Sequence, residues 1–202
     1  IPAVIKELLP LLHPDCTNVE GRRIDEIAAG ALNHRPDVIR SLDHPVAMQG
    51  GIIILKGNLA RQGAAMRLST LPDGMVKFSG PARVFASEEA ATQALIAGSI
   101  QEGSVVVVRN EGPRGGPGMR EMHRLVGAFA GKQIAVITDG RFSGATGGLS
   151  IGYLCPEAAE GGAIACVLDG DMISIDIKNR TIDLVIPPDK LEERITQFRY
   201  SD

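Results

Sequence analysis

The chain has 202 residues, 44% hydrophobic and 22% charged, enough to bury a core as one globular domain with an added arm. Its 21 basic and 24 acidic residues leave a net charge of −3, with no Lys/Arg run dense enough to line a phosphate backbone, so no nucleic-acid partner is expected. The longest apolar runs, such as Gly51 to Leu55 and Val105 to Val108, fall far short of the roughly 20 residues needed to cross a bilayer, so no membrane span is expected.

In chain order, Pro2 to Leu12 places Val4, Ile5, Leu8, Leu9 and Leu12 on one helical face and ends at His13-Pro14-Asp15, which predicts a helical arm. No signal-peptide pattern opens the chain, and the missing initiator Met suggests a fragment. Asp25 to Leu32 is read as a second short helix and His34 to Pro45 as a polar loop. From Gly50 the character changes. Gly51 to Leu55, Ala64 to Leu68, Met75 to Val84, Ser104 to Arg109, Gln133 to Thr138 and Ser150 to Leu154 are β-branched or apolar runs parted by Gly, Pro, Asn and Asp, and are predicted as strands. Ser87 can cap a helix over Glu88 to Ala97, Met119 to Ala130 can form another, and Asp189 can cap Lys190 to Phe198. Ile173, Ile175 and Ile177 alternate with polar residues, Lys178-Asn179-Arg180 makes a turn, and Ile182, Leu184 and Ile186 resume the alternation, which predicts a hairpin over Met172 to Ile186. Many short strands with few helices outside them indicate an α+β or barrel-like domain rather than a repeated βαβ sheet. Cys16, Cys155 and Cys166 are an odd set without CxxC spacing, which argues against a disulfide framework or a zinc site and for reduced thiols in the cytoplasm or an organelle matrix.

Two glycine-rich loops follow predicted strands. Glu111-Gly112-Pro113-Arg114-Gly115-Gly116-Pro117-Gly118-Met119-Arg120-Glu121 fixes a side-chain-free path, which suits either close approach of an anion or metal-bound ligand, or a tight turn without one. It is neither a Walker A loop nor a dinucleotide fingerprint. Thr138-Asp139-Gly140-Arg141-Phe142-Ser143-Gly144 sets a hydroxyl among glycines at a strand end, so Ser143 reads as a nucleophile or base, or as a turn residue bonding its own backbone. Glu121 reads by itself as a solvated acid at a helix start. His123 reads as structural, since a helix would set it on a different face from Glu121.

Glu111 to Met122, Ile137 to Gly144, Leu55-Lys56-Gly57-Asn58-Leu59-Ala60, Gly80-Pro81-Ala82-Arg83-Val84-Phe85 and Pro156-Glu157-Ala158-Ala159-Glu160-Gly161-Gly162 resemble, in order, signature segments of the family of dihydroxy-acid, phosphogluconate and sugar-acid dehydratases. Cys155 stands where that family usually has Ser or Thr, and the stretch between Met122 and Ile134 is several residues shorter than the family's.

The resemblance implies a swivelling β/β/α barrel-like C-terminal domain over 23–202, with 1–22 as an arm or the end of a missing N-terminal domain. It implies loss of water from a 2,3-dihydroxy carboxylic acid to give a 2-keto acid, as in branched-chain amino-acid biosynthesis. Ser143 matches the residue that removes the C2 proton and Glu121 a Mg²⁺ ligand, while Gly140, Arg141 and Gly144 match the loop facing substrate. The family's iron-sulfur cluster would draw its cysteines from the missing domain, so none is assigned here, and the isolated chain is expected to be inactive. The full-length protein is expected to be a homodimer. The rival readings are a sugar-acid dehydratase domain and a non-catalytic module that binds a small carboxylate or a partner.

Overall fold

A computed structural model describes residues 1–48, 50–69, 71, 74–116, 118–128, 131–143 and 147–200. They form two compact units, 1–50 and 51–202. In the first, helix α1 (Pro2–Leu8) runs into a 3-10 turn (Leu9–Leu11), and helix α2 spans Ile24–Ala29. The helical face predicted to Leu12 breaks early because Pro10 cannot donate a backbone hydrogen bond and its ring crowds the preceding turn. The Lys6 ammonium donates to the carbonyl of Ala31 at 2.8 Å, tying α1 to the end of α2. Only Ala28 and Ala31 are buried among the described apolar side chains of this unit.

The second unit is a barrel of eight strands: β1 (Ile52–Leu55), β2 (Gly63–Arg67), β3 (Lys77–Phe85), β4 (Val105–Val108), β5 (Ala135–Thr138), β6 (Leu149–Cys155), β7 (Met172–Asp176) and β8 (Thr181–Leu184). They lie in the order β1-β2-β6-β5-β4-β3-β7-β8. A parallel bridge between Lys56 and Thr181 draws the two ends of the sheet together, with the Lys56 amide donating to Arg180 O at 2.9 Å and the Ile182 amide to Lys56 O at 3.1 Å. The α+β, barrel-like expectation holds.

One half of the barrel differs from the sequence reading. β3, β4, β5 and β6 run parallel to one another, joined in part through helices α3 (Glu88–Ile96) and α4 (His123–Ala128), so consecutive βαβ crossovers sit inside the barrel. The cause lies in β4 and β5, where every residue is buried. Val105 and Val107 join the barrel interior with Ile137, Ile151, Ile173 and Ile182, while Val106 and Val108 pack outward under Ala91 and Leu95 of α3 and Leu125 of α4. A strand covered on both faces is a continuous apolar run, the form that parallel strands take. Each fully buried isoleucine contributes roughly 1.5–3 kcal/mol.

β3 reaches across the change in strand direction. Lys77 to Pro81 pair antiparallel with β7, and Ala82 to Phe85 pair parallel with β4. Ser87 caps α3 as expected, its hydroxyl accepting from the Ala90 amide at 3.2 Å. The C-terminal helix α5 (Pro188–Tyr200) starts earlier than predicted: Pro188 opens it, and Asp189 is a first-turn acid rather than its cap. Among the described residues no helix is long and apolar enough to cross a membrane.

The parallel strands β3, β4 and β5 end side by side, and three buried carboxylates join the segments that leave them. Asp139, just after β5, accepts from the amides of Asn110 at 3.1 Å, Glu111 at 3.0 Å and Ala158 at 2.9 Å. Glu111, just after β4, accepts from the amide of Glu88 at 3.1 Å. Glu88, at the start of α3, accepts from the amides of Arg124 at 3.0 Å and Leu125 at 3.2 Å and so caps α4. Each of the first two acids thus holds the backbone amide of the next.

Replacing Asp139 by Asn presents an amide donor to backbone donors and strands at least one of them, at a cost of about 1–3 kcal/mol. Urea unfolding of Asp139→Asn is expected to show this loss, and a midpoint equal to the native one would contradict the linkage. Asp176 gives a second test. Lys77 above all, at 2.8 Å, with the amide and side chain of Asn179, holds its carboxyl down to about 2. A carboxyl lowered on folding contributes stability that is present above its unfolded pKa near 4 and is lost as pH falls through about 2. Melting temperature should therefore fall more steeply between pH 4 and 2 in the native chain than in Asp176→Asn. Parallel curves would remove Asp176 as an anchor of the hairpin.

Candidate functional site

The loop after β4 curls around a carboxylate that belongs to the protein. Glu157 is buried, and its oxygens accept from the amide of Arg114 at 2.9 and 3.1 Å and from that of Gly115 at 3.1 Å. A Cβ at Gly112 would lie 2.2 Å from a Glu157 oxygen, which is why the chain carries glycine there. The sequence left this loop open between a ligand cradle and a tight turn; these two amides serve an internal anion. Arg114 is gripped a second time where its Nε meets Glu160 at 3.0 Å. The segment 156–162, one of the family-like segments of the sequence, is thus an anchor.

Glu121 does not lie in a helix. Met119 adopts φ +55°, a left-handed conformation that ends any helical path, and α4 begins only at His123. Residues 129 and 130 of the predicted helix lie outside the described residues. Glu121 instead pairs with Arg141 in a parallel bridge, and the Met122 amide donates to Arg141 O at 3.2 Å. The Arg141 side chain returns to the same segment, with Nη1 on Glu121 Oε1 at 2.9 Å and Nε on the carbonyl of Met119 at 2.8 Å. Both side chains remain partly exposed, Arg141 by 41% and Glu121 by 38%.

Glu121, Arg141, Arg120, Glu89, His123 and Arg124 are among the residues lining an open hollow of about 420 Å³. His123 therefore shares a cavity with Glu121, contrary to the separation a continuous helix would have imposed. Arg120 bridges Glu89, at 2.8 and 3.2 Å, and Glu111, at 3.3 Å. The Arg120 guanidinium holds the Glu89 carboxyl down to about 2, and the same acids push the arginine further up. Among the described residues no group of three or more His, Cys, Asp and Glu side chains is arranged to hold a metal by itself.

Gly140 is buried, and its carbonyl accepts from the Tyr153 amide at 2.8 Å. A Cβ there would lie 2.8 Å from Met122 Cε and 2.9 Å from Glu111 Cβ, so close packing dictates this glycine. Ser143 is half-buried two residues beyond Arg141, within about 7 Å along the chain. Gly144 lies outside the described residues. Met119 also lines a second hollow of about 260 Å³, with Pro113, Tyr153, Leu154 and Cys155 among its walls. Tyr153 shares the left-handed conformation at φ +58°. The Cys155 thiol lies 3.1 Å from Gln62 Oε1, Cys166 is buried with its thiol pushed up by desolvation, and Cys16 is exposed. Sequence reasoning passed over Glu88, Glu111, Arg120 and Glu157. The only signal of the three glutamates is that acids occur beside strand ends, a pattern that also describes ordinary solvated loops, and Arg120 reads as one more surface cation.

Residues 37–201 match the family described as Dihydroxy-acid/6-phosphogluconate dehydratase C-terminal. The dihydroxy-acid dehydratase of Pyrococcus furiosus is 49% identical over 205 residues, covering 98% of this chain and 37% of the relative. That of Agathobacter rectalis is 50% identical over 203 residues, covering 98% and 36%, and that of Methanoregula boonei 49% identical over 197 residues, covering 96% and 36%. The chain spans little more than a third of the length of these curated relatives. The match runs through the whole barrel, both glycine-rich loops and the Glu121–Arg141 pair. The chain belongs to the family of dihydroxy-acid/6-phosphogluconate dehydratase C-terminal domains.

Proposed function

We propose that this chain forms the C-terminal half of the active site of a hydro-lyase that converts a 2,3-dihydroxy carboxylic acid to a 2-keto acid, with the remainder of the site on an N-terminal domain. The observation that carries the reading is the clasp of Arg141 on Glu121, which joins the loop bearing the metal-ligand candidate to the loop bearing the base candidate. In the proposed reaction Ser143 Oγ takes the proton from C2. The C–H electron pair becomes the C2=C3 bond, the C3–O bond breaks, and the departing hydroxyl takes up a proton and leaves as water. The enol then tautomerises to the keto acid. Gly140, Arg141 and Gly144 frame the loop proposed to face substrate.

A serine hydroxyl is a weak base at neutral pH and needs a nearby cation to favour its alkoxide. Glu121 fits one position in a Mg²⁺ site: its carboxylate is a hard oxygen donor, partly open to the hollow, and only one of its oxygens has a partner among the described residues. When bound, the ion would supply charge stabilisation to the substrate oxygens. Cys16, Cys155 and Cys166 do not fit an iron-sulfur cluster, because one is exposed in the first unit, one lines the Met119 hollow and one is buried. Cluster ligands are proposed to lie on the N-terminal domain, and no step is assigned to them here.

The Met119 hollow sets apolar wall from Pro113, Met119 and Leu154, with room for a short alkyl tail, beside the charged side chains of Arg114 and Glu160. The branched-chain biosynthetic substrate is the proposed class, with a sugar acid as the alternative. The three unpaired cysteines suit a reducing compartment, cytoplasm or organelle matrix, and a homodimer is the proposed assembly.

In the complete enzyme Ser143→Ala is expected to lower kcat by about 10²–10⁴ on a 2,3-dihydroxy acid with a branched alkyl tail. Turnover of that substrate within a few-fold of native would remove Ser143 as the base, and a native enzyme preferring a sugar acid would overturn the substrate class.

A further inference from the structure

We infer that Arg141 is a positioning residue for Glu121, fixing one carboxylate oxygen so that the other is aimed at a divalent cation. The inference rests on the reading of Glu121 as a metal ligand and gives Arg141 a role distinct from contact with substrate. Three ties run from Arg141 into the single segment Met119–Met122. Its Nε donates to Met119 O at 2.8 Å, its Nη1 to Glu121 Oε1 at 2.9 Å, and its own carbonyl accepts from the Met122 amide at 3.2 Å. The two guanidinium contacts use the rigid planar fork of arginine, so fixing Nε on a backbone carbonyl also fixes the direction from which Nη1 meets the carboxylate.

A carboxylate that binds a metal is normally oriented by a hydrogen bond to its other oxygen, and loss of such a partner weakens metal binding about 10- to 100-fold. Glu121 has that arrangement. Its segment is held from both flanks, by Arg120 on Glu89 and Glu111 before it and by Glu88 on the amides of 124 and 125 after it. Those contacts fix the backbone, and among the described residues the Arg141 guanidinium is the group that hydrogen-bonds the Glu121 side chain.

A guanidinium beside a cation site also repels the cation, so orientation and charge act in opposite directions. Arg141→Lys separates them. Lysine keeps the charge, but a single ammonium cannot hold both Met119 O and Glu121 Oε1 in fixed directions. Mn²⁺ serves as the probe, with its binding to the complete enzyme followed by the electron paramagnetic resonance signal of the free ion. Arg141→Lys is expected to raise the Mn²⁺ Kd about tenfold or more, while the melting temperature stays near native because the side chain is 41% exposed. An unchanged or tighter Kd would overturn the positioning role, tighter binding marking Arg141 as a competitor of the ion. A raised KM for substrate with unchanged Mn²⁺ affinity would do the same by making Arg141 a substrate contact. Glu121→Gln is the control: if it leaves Mn²⁺ binding unchanged, the metal reading of Glu121 fails, whereas loss in Glu121→Gln but not in Arg141→Lys defeats only the inference about Arg141. Should Arg141→Lys lose its melting transition, Arg141→Met at raised salt, which screens the change in charge, must still weaken Mn²⁺ binding for the role to stand.

Discussion

The candidate site depends on three buried carboxylates linked through backbone amides: Asp139 holds Glu111, Glu111 holds Glu88, and Glu88 holds the start of α4. Taking a carboxylate out of water costs several kcal/mol unless donors replace the lost hydration. Here much of that replacement comes from amide groups that a strand end or helix start would otherwise leave without partners. The cost of burying the acids and the cost of ending the elements offset each other in part, since one buried oxygen of Glu111 has no hydrogen-bond partner among the described residues. Because each acid's amide depends on the acid before it, displacement at Asp139 propagates to α4, and contributions within such a network do not add as independent pairs.

That frame lies where a parallel sheet presents its carboxyl ends, the position at which α/β sheets place their ligands. β3, β4 and β5 are four to nine residues long, and the alternation of Val105 and Val107 with Val106 and Val108 locks them between two cores. The strand ends are therefore fixed points, and the glycine-rich loops leave from rigid supports. Glu157 extends the arrangement, since Asp139 holds Ala158 beside it while its own carboxylate holds residues 114 and 115.

Much of the barrel was legible in the sequence because alternation is a local signal. Ile173, Ile175, Ile182 and Leu184 announced a hairpin with one buried face, and β7 and β8 form it. The parallel half was hidden for the opposite reason: Val105 to Val108 and Ala135 to Thr138 have no period, and a short unbroken apolar run does not reveal its direction or its neighbours. The closure at Lys56 and Thr181 joins residues 125 positions apart through backbone groups alone, leaving no mark on side-chain chemistry. At the site, the glycine pattern located both loops and the family resemblance singled out Glu121 and Ser143. The acids that hold those loops were not recoverable, because Glu88, Glu111 and Asp139 lie more than twenty residues from one another and a lone acid in a loop has the same appearance whether solvated or buried.

The exposure of the candidate groups bears on what the domain can do by itself. Removing a proton from carbon is favoured where water is excluded, since charges then act at low dielectric without being screened. Glu121 and Arg141 are each more than a third exposed, and they line an open hollow. Their pairing in that setting is worth little as a source of stability. Its value is geometric, because the buried acids beneath are already fixed and a rigid support lets a modest surface contact define an angle. A site of this kind gains catalytic force only when another surface covers it and drives out water. The chain spans little more than a third of the length of its curated relatives, and on the function proposed above the covering surface is an N-terminal domain. On that proposal this domain supplies the rigid half, with the angles already set, and the lowering of the dielectric comes from the other.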